Sequence, residues 1–239
     1  NLGEYEEARQ LFDKYNKRFK KKGTYTALKA QIEVGACEWA QKEIAKKSNT
    51  RIVHLDTIVN TPFSEFAAVE RDSMLYFSSS KEALKKIKKS IPHTEIYAYS
   101  KKSFEQLPLD TAFNSSDFNS GNLSFSSDGK TCYFTRCVSV NPTEMRCAIY
   151  VRYNQNGMWS KAKRLNDTIN QPNYTSTHPC IAIVDSVGTV LYFSSNRKGG
   201  EGKMDLWACK ISPSGSYGVP YNLGKNVNSM DNEISPFFN

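Results

Sequence analysis

The chain reads as a mainly β protein, a β-propeller of four-stranded blades, preceded by a helical hairpin. Three observations predict this: a hexapeptide that recurs at near-equal spacing, a Tyr-Phe strand inside every interval, and a front segment patterned on the helical period. The hexapeptide, Leu-x-x-x-apolar-Asn, occurs four times, as Leu55 to Asn60, Leu109 to Asn114, Leu165 to Asn170 and Leu223 to Asn228, at intervals of 54, 56 and 58 residues. Repetition at such a period marks an array of supersecondary units.

At the front, Tyr5, Ala8, Phe12, Tyr15 and Phe19 fall on one helical stripe that Gly23 closes. A second helix is expected over about Tyr25 to Lys47, presenting Leu28, Ile32, Cys37, Trp39, Ala40 and Ile44. Residues 1–48 are thus a helical segment and residues 49–60 a linker. Each interval that follows holds the same order of parts. A strand ends in Tyr-Phe at Met74 to Ser79, Thr131 to Arg136 and Val190 to Ser195. An apolar-aromatic pair comes next, at Ile96-Tyr97, Ile149-Tyr150 and Leu206-Trp207, and an aromatic residue, Phe104, Trp159 or Tyr217, precedes the next hexapeptide.

Alternating apolar residues, β-branched and aromatic enrichment and turn chemistry at Ser126 to Lys130 and Asn196 to Lys203 make each interval four short strands. The blades run over residues 61–114, 115–170 and 171–228, and Asn232 to Asn239 reads as the first strand of another, so residues 61–239 form a partial propeller. Propellers close with roughly four to eight blades, so the chain is expected to continue past Asn239. Strands are placed at Leu75 to Ser78, Cys132 to Arg136 and Leu191 to Ser195, with Phe77, Phe134 and Phe193 equivalent. The first blade departs from the pattern between Lys81 and Ile91, where Leu84, Ile87 and Ile91 suggest an inserted amphipathic helix, and the second carries Cys137 to Cys147 as a loop in the same place.

Composition narrows the function. The 239 residues are 39% hydrophobic and 23% charged, enough to form a core. The apolar run at Cys180 to Val184 is far below the roughly 20 residues of a spanning helix, so no membrane span is expected. The net charge of +8 is localised: residues 1–50 hold eleven Lys and Arg against seven Asp and Glu, residues 81–89 five against one, and the remainder is neutral. These bases lie in helical patterns without the interleaved aromatics of a nucleic-acid surface, and no nucleic acid is expected as a partner.

Six cysteines form no Cys-x-x-Cys pair, and His54, His93 and His178 stand apart from any nucleophile motif, so neither metal, cofactor nor catalysis is expected. Gly199, Gly200 and Gly202 lack the Lys-Ser/Thr of a phosphate loop and read as a tight hairpin, with Asp205 bonded to backbone or to Ser194 and Ser195. Trp159, Tyr217, Phe104, Tyr150 and Trp207 read as packing between blades rather than a sugar platform, because their positions repeat.

Two resemblances add to this reading. Gly3-x-Tyr5-x-x-Ala8-x-x-x-Phe12 resembles the second helix of a tetratricopeptide repeat. DGKTCYFTR, LYFSSNRKGGEGKMDLW, the aromatic, the hexapeptide and NEISPFF together resemble the WD40-like propeller repeat called PD40. Helical repeat followed by PD40 blades looks like the periplasmic part of the OmpA-family proteins that include the type IX secretion component PorE. That resemblance implies a periplasmic, outer-membrane-associated, non-enzymatic scaffold that binds envelope proteins of a secretion or gliding-type complex. It also implies peptidoglycan binding through a downstream domain that this chain does not contain. The alternative is a substrate-gating propeller of a prolyl-oligopeptidase-like hydrolase, which a GxSxG motif after Asn239 would reveal.

The resemblance assigns an oxidising compartment, in which Cys137 and Cys147, flanking one hairpin loop, can form a disulfide. Five Asp-Ser/Thr-apolar tripeptides, at Thr57, Ser73, Thr111, Thr168 and Ser186, resemble the O-glycosylation sequon of periplasmic proteins in bacteria with type IX secretion. An acidic partner surface is expected to meet Lys81, Lys85, Lys86, Lys88 and Lys89 on the insertion, and Lys17 and Lys20 on the helical face.

Overall fold

The computed structural model describes residues 3–19, 23–46, 49–80, 93–107, 109–110, 112–141 and 143–238. The chain divides into two compact units, Asn1–Val53 and His54–Asn239. The first contains α1 (Tyr5–Arg18) and α2 (Tyr25–Ile44). Glu6 and Glu7 in the first turn of α1 and Lys17 and Arg18 in its last complement the helix dipole. Thr24 caps α2 by accepting the Ala27 amide. The buried stripe of α2 is Ala27, Ala30 and Cys37, whereas the expected Ile32, Trp39 and Ile44 are exposed. Small side chains face inward because a lone helix pair can bury just one narrow seam, and close approach favours Ala and Cys there.

The second unit is mainly β, and its described residues form three antiparallel sheets. Sheet one has the order β1 (Glu65–Arg71), β2 (Met74–Ser79), β3 (Glu95–Ser100), β4 (Glu105–Leu107). Sheet two is β5 (Asn119–Phe125), β6 (Thr131–Asn141), β7 (Glu144–Gln155), β8 (Met158–Trp159), with β9 (Lys163–Arg164) also on β7. Sheet three is β10 (Ser176–Val184), β11 (Gly188–Ser195), β12 (Asp205–Lys210), β13 (Tyr221–Asn222). The three Tyr-Phe segments are the second strands of three separate sheets, β2, β6 and β11. Asn232 to Phe238, expected as a further strand, makes one isolated bridge among the described residues, Asn232 to Met204. The expected helix over Lys81 to Ile91 lies outside the described residues.

The linker expected over residues 49–60 is split. Its hexapeptide belongs to the β unit, with Val59 buried against Phe77, Tyr97 and Tyr99. Side-chain alternation then assigns the faces. Cys132 and Phe134 on β6 pack toward sheet one with Ile96, Phe113 and Leu123. Tyr133, one residue away and therefore on the opposite face, joins Leu191, Phe193 and Trp207 of sheet three.

The first strands converge. Each carries a bulge at the same place, where the register slips between Phe66 and Val69, Gly121 and Ser124, and Thr177 and Cys180. A left-handed residue sits in each bulge, Ala67, Asn122 and His178, and Ser235 repeats the conformation in the final segment. All four line one cavity of about 210 Å³, so the sheets are arranged around a shared axis in propeller-like fashion. Bulge amides also tie neighbours together: Asn122 donates to Ser78 Oγ and His178 to Thr135 Oγ1, each at 3.1 Å.

The hexapeptide asparagine forms the principal junction. Asn170 accepts the Ile149 amide at 2.7 Å and donates to the carbonyls of Ile149 and Leu165 at 2.9 and 3.0 Å. Asn114 bonds both backbone groups of Ile96, and Asn228 both of Leu206. Asn60, with no strand before it among the described residues, bonds the Leu55 carbonyl. Replacing Asn170 by Ala strands the buried Ile149 amide, while the Ile149 carbonyl keeps the Leu165 amide. This is expected to cost about 1–3 kcal/mol, while Asn60→Ala should cost under about 1 kcal/mol. Urea unfolding of the four Asn→Ala variants should rank them in that order; equal losses at Asn170 and Asn60 would contradict the assigned role.

Candidate functional site

Strand-two to strand-three connections and hexapeptide turns share one end of the sheets, because in an antiparallel meander alternate connections fall on the same side. Sheet two alters that end. β6 and β7 are 11 and 12 residues long, against 6 and 6 for β2 and β3, so what reads as a loop in the sequence is a continued ladder. Residues 137–141 extend about 16 Å past the level of Arg136 at the usual strand rise of about 3.3 Å. Cys137 and Cys147 face each other across this ladder, Cα atoms 4.0 Å apart, and are joined by a disulfide. Beyond it the arm exposes Val138 (39%), Val140 (47%) and Met145 (45%).

The base of the arm is held by arginines that the sequence reading does not single out. The Arg136 guanidinium lies 5.1 to 5.3 Å from the ring centres of Phe118, Phe134 and Tyr150 and donates to the Ala112 carbonyl at 2.7 Å. In sheet three, Arg197 lies over Phe193 and Trp207 and donates to the carbonyls of Thr168 and Ile169. Burial lowers its pKa to about 10, so it stays cationic at neutral pH. The two guanidiniums come from non-equivalent strand positions yet cap equivalent carbonyls of two successive hexapeptide turns, at residues 112–113 and 168–169. Arg152, almost fully buried, forms a bidentate pair with Asp110 at 2.8 and 2.7 Å and donates to the Ser160 carbonyl. Repetition could have exposed this link: Asp56, equivalent to Asp110, accepts from Tyr99, which occupies the place of Arg152.

Lys17 is exposed near the end of α1. Lys20, Lys81, Lys85, Lys86, Lys88, Lys89 and Thr111 lie outside the described residues. Thr57 and Thr168 are exposed on hexapeptide turns, whereas Ser73 and Ser186 sit on strand-one to strand-two turns at the opposite end. These four hydroxyls do not gather into one site. His93 faces the Ser115 carbonyl at 3.0 Å, and His178 occupies its bulge, where burial lowers its pKa. Asp205 accepts from the amides of Glu201 and Gly202, the backbone alternative of the sequence reading, and from Asn222. A Cβ on Gly200 would lie 2.2 Å from the Asp205 carboxylate, so the turn requires glycine there. Trp207 is buried between sheets, whereas Phe104 is exposed, unlike the packing role read for it. Among the described residues no group of three or more His, Cys, Asp and Glu could hold a metal, and no helix is long and apolar enough to cross a membrane.

Burial works to raise the Asp110 pKa, but Arg152 together with the Ala112 and Phe113 amides outweighs it and the net shift is downward. A depressed carboxyl contributes stability above its unfolded pKa of about 3.9 and loses it as pH falls through the folded value. Wild type should therefore be more stable than Asp110→Asn at pH 7, and the two should converge toward pH 2 in thermal melts. For the arm, reduction of the disulfide should accelerate amide hydrogen exchange at residues 138–146 at least about tenfold while residues 131–135 keep their protection. Loss of protection throughout β6 would show that the clip supports the whole sheet instead.

No protein-family model matches the chain, and no curated protein matches it. Among solved structures, it is similar to an endo-arabinase from Bacteroides thetaiotaomicron VPI-5482, with 16% identity and a TM-score of 0.41, over 66% of this chain and 61% of that one. It is also similar to a puromycin-hydrolyzing peptidase of Mycobacterium tuberculosis, with 10% identity and a TM-score of 0.34, over 70% of this chain and 33% of that one.

Proposed function

We propose that the chain is a non-enzymatic protein-interaction module of the bacterial cell envelope: PD40 blades of a β-propeller behind a tetratricopeptide-like hairpin. In this reading it resembles the periplasmic part of PorE-type OmpA-family proteins and holds envelope partners of a secretion or gliding-type assembly. The link to peptidoglycan runs through a domain outside this chain. The observation that carries the reading is the disulfide-clipped arm of β6 and β7. Disulfides persist in oxidising compartments such as the periplasm, which supports the localisation. Val138 and Val140 are exposed on one face of its end and Met145 on the other, apolar surface that a protein partner would desolvate favourably. The clip holds the arm in one conformation, which lowers the ordering cost of binding.

The test is photo-crosslinking in cells with a reactive group at residue 138 or 145, combined with thiol labelling before and after reduction. Adducts with envelope proteins and protected Cys137 and Cys147 thiols are expected. Val140→Lys should cut adduct yield from position 138 at least about fivefold, because the substitution places charge in the partner's apolar contact on the same face. Freely labelled thiols without prior reduction, or adducts confined to cytoplasmic proteins, would sink the reading.

A further inference from the structure

At the end of the sheets opposite the arm, the boundary between sheets two and three opens into a cleft of about 1060 Å³. Its floor is the shared core, with Tyr133 and Ile181 meeting Ile211 and Tyr217. The strand-one to strand-two turns diverge on either side, one bringing Asp128 and the other Asp185. Past Tyr153, Gly215 and Tyr217, which line both spaces, the cleft continues into a second of about 320 Å³ that reaches Lys163 to Asn166. The result is an elongated trough, shaped for a chain rather than a compact molecule.

Its chemistry narrows the ligand. Tyr153 stands 41% exposed where the two spaces join, an aromatic surface available for stacking. Tyr217 donates its hydroxyl proton to Tyr133 at 3.1 Å, so the Tyr133 proton is directed elsewhere, and no acceptor for it is found among the described residues. Burial raises the pKa of both phenols, Tyr133 to about 12, and both remain donors at neutral pH. Asp185 makes no ion pair among the described residues, and Asp128 engages Ser126 and Lys130 through Oδ1 alone. No Lys or Arg lines the larger space, which disfavours an anionic polymer. The free edge of β10 at Ile181 to Val184 also lines the larger space, so an extended peptide is the competing occupant.

We infer that the trough binds a neutral linear oligosaccharide, with Tyr153 stacked on a sugar ring and Tyr133, Asp128 and Asp185 bonded to its hydroxyls. A sugar ring presents apolar C–H faces and a polar hydroxyl edge, the combination that aromatic faces beside carboxylates and phenols complement. This site is separate from the arm and goes beyond the scaffold reading.

The experiment is isothermal titration of the full chain with chitohexaose, cellohexaose, xylohexaose and maltohexaose. At least one should bind saturably with Kd on the order of 0.1 mM. Tyr153→Ala should weaken it about tenfold, Tyr153→Phe should restore most of the loss, and Asp185→Ala should weaken it about threefold. Val138→Lys on the arm should leave it unchanged, which separates this site from the proposed protein-binding surface. Absence of saturable heat with all four sugars overturns the inference, as does binding indifferent to Tyr153→Ala and Asp185→Ala. Titration with pentalysine that is saturable and lost in Asp185→Ala, with the sugars silent, would reassign the trough to a cationic peptide.

Discussion

A carboxamide that satisfies both backbone groups of one residue on the preceding third strand is the interaction on which the β unit depends. That strand ends its ladder where the fourth strand is short, and without Asn114, Asn170 or Asn228 the amide of Ile96, Ile149 or Leu206 would lose its partner there, while the Ile149 and Leu206 carbonyls would keep the Leu165 and Leu223 amides. Asparagine alone among small residues offers a donor and an acceptor in the geometry of a peptide group. The turn that presents it is fixed from within: Asp56, Asp110 and Asn166 accept amides two or three residues ahead. With the turn and the strand locked together, the apolar residue before each asparagine is delivered into the next interface. Val59, Phe113 and Ile169 are at most 5% exposed, whereas Val227, with no such interface among the described residues, is 47% exposed.

Once the turns are fixed, strand alternation completes the interfaces. Phe77, Phe134 and Phe193 point back toward the hexapeptide that introduces their own sheet, and Tyr76, Tyr133 and the equivalent Tyr192 point forward. Each forward tyrosine meets a residue on the following first strand or segment: Tyr76 meets Phe125, Tyr133 packs near Ile181, and Tyr192 stacks on Phe238. The hydroxyl is what distinguishes the second of these positions, since Tyr133 receives a bond from Tyr217 across the boundary. A buried phenol needs such a partner, and its presence explains why Tyr rather than Phe is tolerated at the most enclosed interface.

The arginines show a division between scaffold and surface. Arg136, Arg152 and Arg197 spend their charge on turn carbonyls, an aspartate and aromatic faces, so their guanidiniums are structural. Removing any of them would leave buried acceptors unmatched, which costs more than the bond itself contributes. The ladder that continues above Arg136 has no such obligations. Its exposed valines and methionine rest on a rigid base, and the disulfide fixes the register in which they are displayed.

The sequence by itself determined the repeat, the strand order inside it, the equivalence of Phe77, Phe134 and Phe193, and the glycine requirement of the turn before Asp205. These are local or periodic properties: alternation fixes faces, the close approach of the Asp205 carboxylate within the same turn fixes glycine at position 200, and recurrence at 54 to 58 residues fixes the unit. The role of the recurrent asparagine, by contrast, is invisible in the hexapeptide, because its partners lie 18 to 22 residues earlier on another element. The length of the β6–β7 arm reads as a loop in the chain, since Asn-Pro-Thr-Glu carries turn chemistry and only pairing with a facing strand converts its flanks into a ladder. Helix α2 misleads for a related reason: Trp39 and Ile32 are its most apolar residues, yet which stripe is buried depends on the approach of α1, and close packing selects Ala27, Ala30 and Cys37. The trough beside Tyr153 is likewise a product of two sheets diverging, a property no single repeat contains.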